Sequence, residues 1–201
     1  MKFSIITLGC KVNAYESQYY AGQLEELGYE QVSPEQPCDI CIINTCTVTN
    51  MADRKSRQML RRVKQINPNS IVVATGCYAQ VAKDELQKIE NIDLVLGINE
   101  KNDIVDYVNK FLSNKTKEME ISDVLHQVEF LDFGTVTHTE KTRMVIKIQD
   151  GCDRFCSYCI IPYARGRVRS RMPENIIEEI SHVAKEGIKE VVITGIHIAS
   201  Y

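Results

Sequence analysis

Phe3-Ser-Ile-Ile-Thr-Leu-Gly-Cys10-Lys-Val-Asn13 is an apolar run of strand length that ends at a glycine and a cysteine and gives way to a helical pattern. The change recurs along the first half of the chain, where Ile40 to Ile43, Ile71 to Ala74 and Ile92 to Leu96 read as further buried strands with helical stretches between them. Strands alternating with helices imply βαβ units and a parallel sheet. The first helix is expected to take Asn13 as N-cap, with Glu16 three residues on as its capping-box partner and Gly28 beyond its end. Leu24 and Leu27 belong to its expected buried stripe. A second helix starts near Asn50, carries Met51, Met59 and Val63, and stops before Pro68. A later one runs from about Glu100 to Leu112, with Ile104, Val105, Val108 and Phe111 at helical spacing. Together these predict an α/β domain over residues 1–112.

Between 113 and 141 the pattern fades into a polar, charged stretch, expected to be a linker that wraps or pairs, with a possible strand at Phe130 to Val136. From 142 it restarts: Met144 to Ile148 is a strand, Pro173 opens a helix that Gly187 ends, and Val191 to Thr194 is the next strand. One βα unit and a following strand are the beginning of a parallel barrel rather than a domain. Val191 to Thr194 is therefore expected to have an open edge, and residues 142–201 to be weakly protected or held by docking onto the first domain.

The 201 residues are 44% hydrophobic and 25% charged, an ordinary globular balance. No apolar run approaches the roughly 20 residues that cross a bilayer, and the segment before Cys10 has too short an apolar core for a signal peptide. Eight cysteines without an export signal point to a reducing compartment, the cytoplasm, where thiols serve metal or redox chemistry. The net charge of −3 argues against a uniformly basic nucleic-acid binder but leaves room for a local basic patch.

Cys152, Cys156 and Cys159 stand as Cys-x3-Cys-x2-Cys directly after the strand Met144 to Ile148. A 4Fe-4S cube takes one outside ligand per iron, so a loop that supplies three thiolates leaves one iron open for reaction. Cys10, Cys46 and Cys77 each lie just past the carboxyl end of an expected strand. In an open parallel sheet those ends face one crevice, where ligands bind. The three could meet around one metal centre, or be ordinary buried thiols, which are common in cores.

The spacing Cys152, Cys156, Cys159, with the aromatic Tyr158 before the last cysteine, resembles the signature of the radical S-adenosylmethionine (SAM) enzymes. Thr7-Leu-Gly-Cys-Lys-Val-Asn13, Asn44-Thr-Cys-Thr-Val-Thr49 and Thr75-Gly-Cys77 resemble the three cysteine motifs of the methylthiotransferase domain, and they precede the radical SAM loop in the family's order. Over its whole length the chain is similar to the tRNA methylthiotransferases, and the first motif most resembles the branch acting on threonylcarbamoyladenosine beside the anticodon.

The resemblance implies a Rossmann-like methylthiotransferase domain followed by the start of a radical SAM (β/α) partial barrel. It implies two 4Fe-4S clusters, one on Cys10, Cys46 and Cys77 that carries the sulfur to be donated, and one on Cys152, Cys156 and Cys159 that binds SAM and passes it an electron. The radical so released activates C2 of the adenine, and a second SAM methylates the sulfur. Tyr158 would pack near the SAM adenine and the backbone of Gly195 would hold the SAM amino group. The implied partners are tRNA and an electron donor such as a flavodoxin or ferredoxin, with no membrane. Related families modify isopentenyladenosine in tRNA or an aspartate of a ribosomal protein, and a non-catalytic iron-sulfur or zinc RNA-binding module is the reading from a different class. The family's C-terminal RNA-binding domain is not in these residues.

Other groups receive plainer readings. Cys38 and Cys41 form a Cys-x2-Cys that is read as structural, because Cys41 falls inside a strand. Arg165, Arg167, Arg169 and Arg171 alternate, so an extended backbone would project all four to one face, where they could clamp RNA phosphates. The basic helix residues Arg54, Lys55, Arg57, Arg61, Arg62 and Lys64 are read as a solvated face. Asn13 and Asn44 border cysteines and either hydrogen-bond cluster sulfurs or cap local structure. His126, His138, His182 and His197 are assigned no role as ligands.

Overall fold

The computed structural model describes residues 1–134 and 143–201. Among them, β1 (Lys2–Thr7), β2 (Glu30–Gln31), β3 (Ile40–Thr45), β4 (Ile71–Gly76), β5 (Leu94–Leu96) and β6 (Glu118–Glu120) form one parallel sheet in the order β2-β1-β3-β4-β5-β6. The register sets Phe3 beside Ile40 and Ile40 beside Ile71. Every residue of β3 and β4 is buried, as expected of parallel strands covered on both faces. On one face α2 (Asn50–Ile66) packs Leu60 and Val63 against Ile43, Val72 and Ala74. On the other, α1 (Lys11–Glu26) and α5 (Ile104–Asn114) bring Tyr20, Leu24, Ile104 and Val108 onto Phe3, Ile42 and Val73. Two short helices, α3 (Cys77–Val81) and α4 (Lys83–Leu86), follow β4 directly.

Several sequence expectations shift. The N-cap of α1 is Cys10, not Asn13, and the side chains of Asn13 and Glu16 are buried rather than paired in a capping box. Leu24 is buried as expected, whereas Leu27 lies past the helix end and is exposed. The stretch from Glu100 begins as a 3-10 turn and becomes helical at Ile104. β2 and β6, both short and rich in charged or amide side chains, carry no apolar signal; β6 lies in the expected linker and pairs with β5, Leu94 beside Glu118. Residues 130–134 are irregular rather than a strand, and the remainder of the stretch expected at Phe130 to Val136 lies outside the described residues, as do His138 and residue 142.

The second unit comprises β7 (Arg143–Lys147), β8 (Gln149–Asp150), α6 (Ile161–Arg165), β9 (Arg169–Ser170), α7 (Pro173–Lys185) and β10 (Glu190–Thr194). β10 pairs with β7 in parallel and β9 pairs with β8 in antiparallel fashion. Met144, Ile146, Ile148 and Val183 pack with Tyr15 of α1 and with Phe133, so the unit docks onto the first sheet through α1. Phe133 stacks against Tyr19, ring centroids 4.5 Å apart. Ile193 on β10 is 39% exposed.

Candidate metal centre and cofactor crevice

Cys10 opens α1, Cys46 follows β3 and Cys77 opens α3, so the three thiols stand at the carboxyl ends of β1, β3 and β4, adjacent strands in the centre of the sheet. The glycines before two of them allow the approach. Gly9 has φ +101°, and a Cβ there would lie 2.8 Å from both Cβ and Sγ of Cys46. Gly76 has φ +93°, and a Cβ there would lie 2.5 Å from the Asn44 Oδ1 and the Thr45 carbonyl oxygen. Positive φ and absent side chains are glycine's to supply, so the Gly-Cys order is a steric requirement of the crevice. Asn13 braces it, donating from Nδ2 to the carbonyl oxygens of Leu8 (2.7 Å) and Thr45 (2.9 Å). Asn44 Nδ2 donates to the Asn13 carbonyl oxygen at 2.9 Å. Cys10 is exposed, while Cys46 and Cys77 are buried.

Among the described residues no three Cys, His, Asp or Glu side chains converge as a site for a single ion. Three soft thiols on separate strand ends suit a cube instead, because each of its irons takes its own thiolate. The crevice fits such a group.

The second cysteine set leaves β8 through Gly151, whose φ of +71° brings it so near Arg167 that a Cβ would lie 1.8 Å from that carbonyl oxygen. Cys152 N donates to the Gly166 carbonyl oxygen at 3.1 Å, and Cys159 N donates to that of Cys156 at 2.9 Å, winding the loop into a tight turn. Phe155, at φ +45°, lies in the left-handed region. Cys156 is exposed and Cys152 and Cys159 are half-buried, an open set of three thiols that suits the same type of group.

Gln149, unmarked by any motif, ties this loop to the end of β10. Its Nε2 donates to the carbonyl oxygens of Asp150 (2.7 Å) and Gly151 (2.8 Å), and its Oε1 accepts from His197 N at 2.7 Å. A Cβ at Gly195 would meet that same Oε1 at 2.8 Å, so Gly195 is needed for close packing. Tyr158 is 90% exposed. It borders a cavity of about 360 Å³ that Thr47 and Thr49 line from the Cys46 side, Tyr78 from the Cys77 side and Ile160 from the Cys159 side. The residues that directly follow Cys46, Cys77 and Cys159 thus share this space.

Beneath them lies a buried ion cluster with no counterpart in the motifs. Glu16 Oε1 accepts from Lys147 Nζ at 3.1 Å and from Arg165 Nη1 at 3.0 Å, and also contacts Lys101. Asp150 Oδ2 takes Lys147 at 2.5 Å and Arg165 at 3.1 Å. Burial alone would raise the Glu16 carboxyl, but Arg165, Lys101 and Lys147 outweigh it and hold the group well below the usual carboxylate range. Asp150 is held down in the same way, chiefly by Lys147 and Arg165 against burial. Lys101 is pushed down to about 8 by burial, because its gain from Glu16 is offset by the like charges of Lys147 and Arg165. Phe133 covers the cluster, 5.3 Å from Lys147 and 5.6 Å from Lys101.

The arginine row does not form a common face. Gly166, at φ +77°, breaks the backbone after α6, and only Arg169 and Ser170 are extended strand. Arg165 is fully buried in the ion cluster, Arg169 is buried with its Nη2 on the Arg165 carbonyl oxygen, and Arg171 is buried against Glu179 and Asp132. Arg167 alone is open, its side chain 58% exposed, beside Asp153 and over the Phe155 ring. Cys38 and Cys41 lie at the opposite, amino end of β3 from Cys46. Cys41 is buried, its thiol pushed up by the hydrogen bond to Cys38 and by burial, and Cys38 Sγ lies 3.3 Å from Ser4 Oγ.

Residues 2–97 match the family described as "Uncharacterized protein family UPF0004", and residues 146–201 match the radical SAM superfamily. The threonylcarbamoyladenosine tRNA methylthiotransferase MtaB of Aquifex aeolicus (strain VF5) is 41% identical over all of this chain and 49% of its own length. The protein of that name from Bacillus subtilis (strain 168) is 40% identical over 97% of this chain and 43% of its own length. A tRNA-2-methylthio-N(6)-dimethylallyladenosine synthase of Protochlamydia amoebophila (strain UWE25) is 35% identical over all of this chain and 44% of its own length. The chain thus spans about half the length of the curated relatives it matches. Both family matches stand in the expected order, and the chain is similar over its whole length to these tRNA methylthiotransferases.

Proposed function

We propose that the chain is the N-terminal portion of an enzyme that adds a methylthio group to C2 of threonylcarbamoyladenosine beside the anticodon of tRNA. The observation that carries this reading is the position of Cys10, Cys46 and Cys77 at the carboxyl ends of three adjacent strands, with the second three-cysteine loop, Cys152, Cys156 and Cys159, on the unit docked against α1. Cys10, Cys46 and Cys77 would hold one 4Fe-4S cluster, and Cys152, Cys156 and Cys159 another. Bound clusters and SAM supply the one-electron chemistry and the sulfur; the protein's part is to hold and orient them.

For that part, Gly9 lets the backbone come close to the Cys46 thiol, Gly76 and Gly151 allow the tight backbone approaches that lead into Cys77 and Cys152, and Gln149 couples the SAM-side loop to the Gly195 turn. Tyr158, exposed at the cavity edge, is free to pack on an adenine, and the Gly195 backbone would take the SAM amino group. Arg167 is the one member of the arginine row open to an RNA phosphate. A flavodoxin or ferredoxin would supply electrons in the cytoplasm. Among the described residues no helix is long and apolar enough to cross a membrane.

Threonylcarbamoyladenosine is preferred over dimethylallyladenosine because the relatives named for the former reach 41% and 40% identity, against 35% and 36% for the latter. Nucleoside mass analysis of tRNA from cells lacking the full-length gene tests the choice. Loss of the methylthio form of threonylcarbamoyladenosine alone supports it, and loss of the methylthio dimethylallyl form would overturn it.

A further inference from the structure

Arg165 stands three residues past Pro162, in the unit that carries the SAM-side loop, yet its Nε lies 3.1 Å from Sγ of Cys77, 88 positions away. Its other two nitrogens are occupied: Nη1 meets Glu16 and Asp150, and Nη2 donates to Asn13 Oδ1. The guanidinium is thus fixed on three sides, and the Nε–H is aimed at the thiol with no exposure to water. A planar fork held this way loses little freedom in making the last bond.

The surrounding charge is lopsided. Among the described residues, the carboxylates buried with Lys101, Lys147, Arg165 and Arg169 are Glu16 and Asp150. Arg169 Nε and Nη1 have no hydrogen-bond partner among the described residues. Buried charge without compensation is costly, so an anionic group belongs beside this cluster. Thiolates on an iron-sulfur cube are such a group, and hydrogen bonds to the sulfurs and nearby net charge are among the levers on a cluster's reduction potential.

We propose that Arg165 is a positioning residue for the cluster on Cys10, Cys46 and Cys77: it holds the Cys77 sulfur by a charged hydrogen bond, raises that cluster's reduction potential, and makes it depend on the docked second unit. This rests on the reading that those three cysteines hold a cluster. A cation donating to a ligand sulfur stabilises the electron-rich, reduced form more than the oxidised one. Arg165→Lys keeps the charge but lacks the rigid Nε–H donor, and Arg165→Met loses both.

The test is an EPR-monitored redox titration of the anaerobically reconstituted full-length protein carrying Cys156→Ala, so that the remaining cluster is read alone. Arg165→Met should lower the midpoint potential, and Arg165→Lys should fall between it and the parent. If Arg165→Met fails to fold, the Lys variant decides by the same comparison. A midpoint unchanged from the parent in a variant that retains its iron would overturn the role of Arg165 while leaving the cluster assignment intact. A parent that binds no iron-sulfur cluster at all would overturn both.

Discussion

Lys147 donates to the Glu16 carboxylate across 3.1 Å although 131 positions separate them, and the contact ties the first strand of the second unit to the first helix of the first. Lys101 and Arg165 reach the same carboxylate. Glu16→Gln would leave these cations buried around a neutral amide. Breaking a buried ion pair from one side typically costs about 3–5 kcal/mol. Urea denaturation of the variant should show a loss of that order, and a loss under about 1 kcal/mol would show that the carboxylate does not hold the units together.

Acid should act on the same cluster. Glu16 and Asp150 have folded-state pKa values depressed by their cations, so the stability they contribute is full above the unfolded carboxylate value of about 4 and is lost as pH falls from there toward the folded values. Thermal unfolding should therefore move to lower temperature as pH drops below about 4, with a shallower dependence in Glu16→Gln. Parallel pH profiles for the two proteins would contradict this.

Ligand and decoy cysteines should separate cleanly. Cys156 is exposed on the SAM-side loop, so Cys156→Ala in the full-length enzyme should abolish reductive SAM cleavage while the other cluster survives. Cys41 packs in the sheet core, and Cys41→Ala should keep both clusters at a cost on the order of 1 kcal/mol. Undiminished deoxyadenosine from the first variant, or iron loss in the second, would reverse the assignment.

RNA binding should register Arg167 and not its neighbours. Each phosphate contact contributes about 0.9 to the slope of log K against log salt on duplex DNA, and about 0.7 on single strands. Arg167→Gln should flatten the slope for tRNA binding by no more than about one such contact. Arg171→Gln, which loses partners Asp132 and Glu179, should lower stability instead. A flattening in Arg171→Gln without loss of stability would restore the clamp expected from the alternating row.

The parts of the fold legible in the sequence are those that local pattern carries. Apolar runs mark β1, β3 and β4, and Gly9-Cys10 and Gly76-Cys77 mark strand ends where backbone approach excludes a side chain. Glu16 looked like a capping residue because spacing of three is all that sequence displays; its partners lie 85, 131 and 149 positions away. Arg165 belonged to a row only if the backbone ran straight through Gly166, whose positive φ turns it. β6 carries no sequence signal because Glu-Met-Glu, with one apolar residue, is too short to display a period, and its pairing with β5 is a tertiary matter.

Iron and sulfide stoichiometry tests the central claim most directly. After anaerobic reconstitution of the full-length protein, two cubes predict about eight irons and eight sulfides per chain. Cys46→Ser and Cys156→Ala should each retain about half of that iron, with distinct EPR signals for the two remaining clusters. One or two zinc ions with no sulfide, or a single cluster lost equally in both variants, would contradict the assignment of two three-cysteine sites.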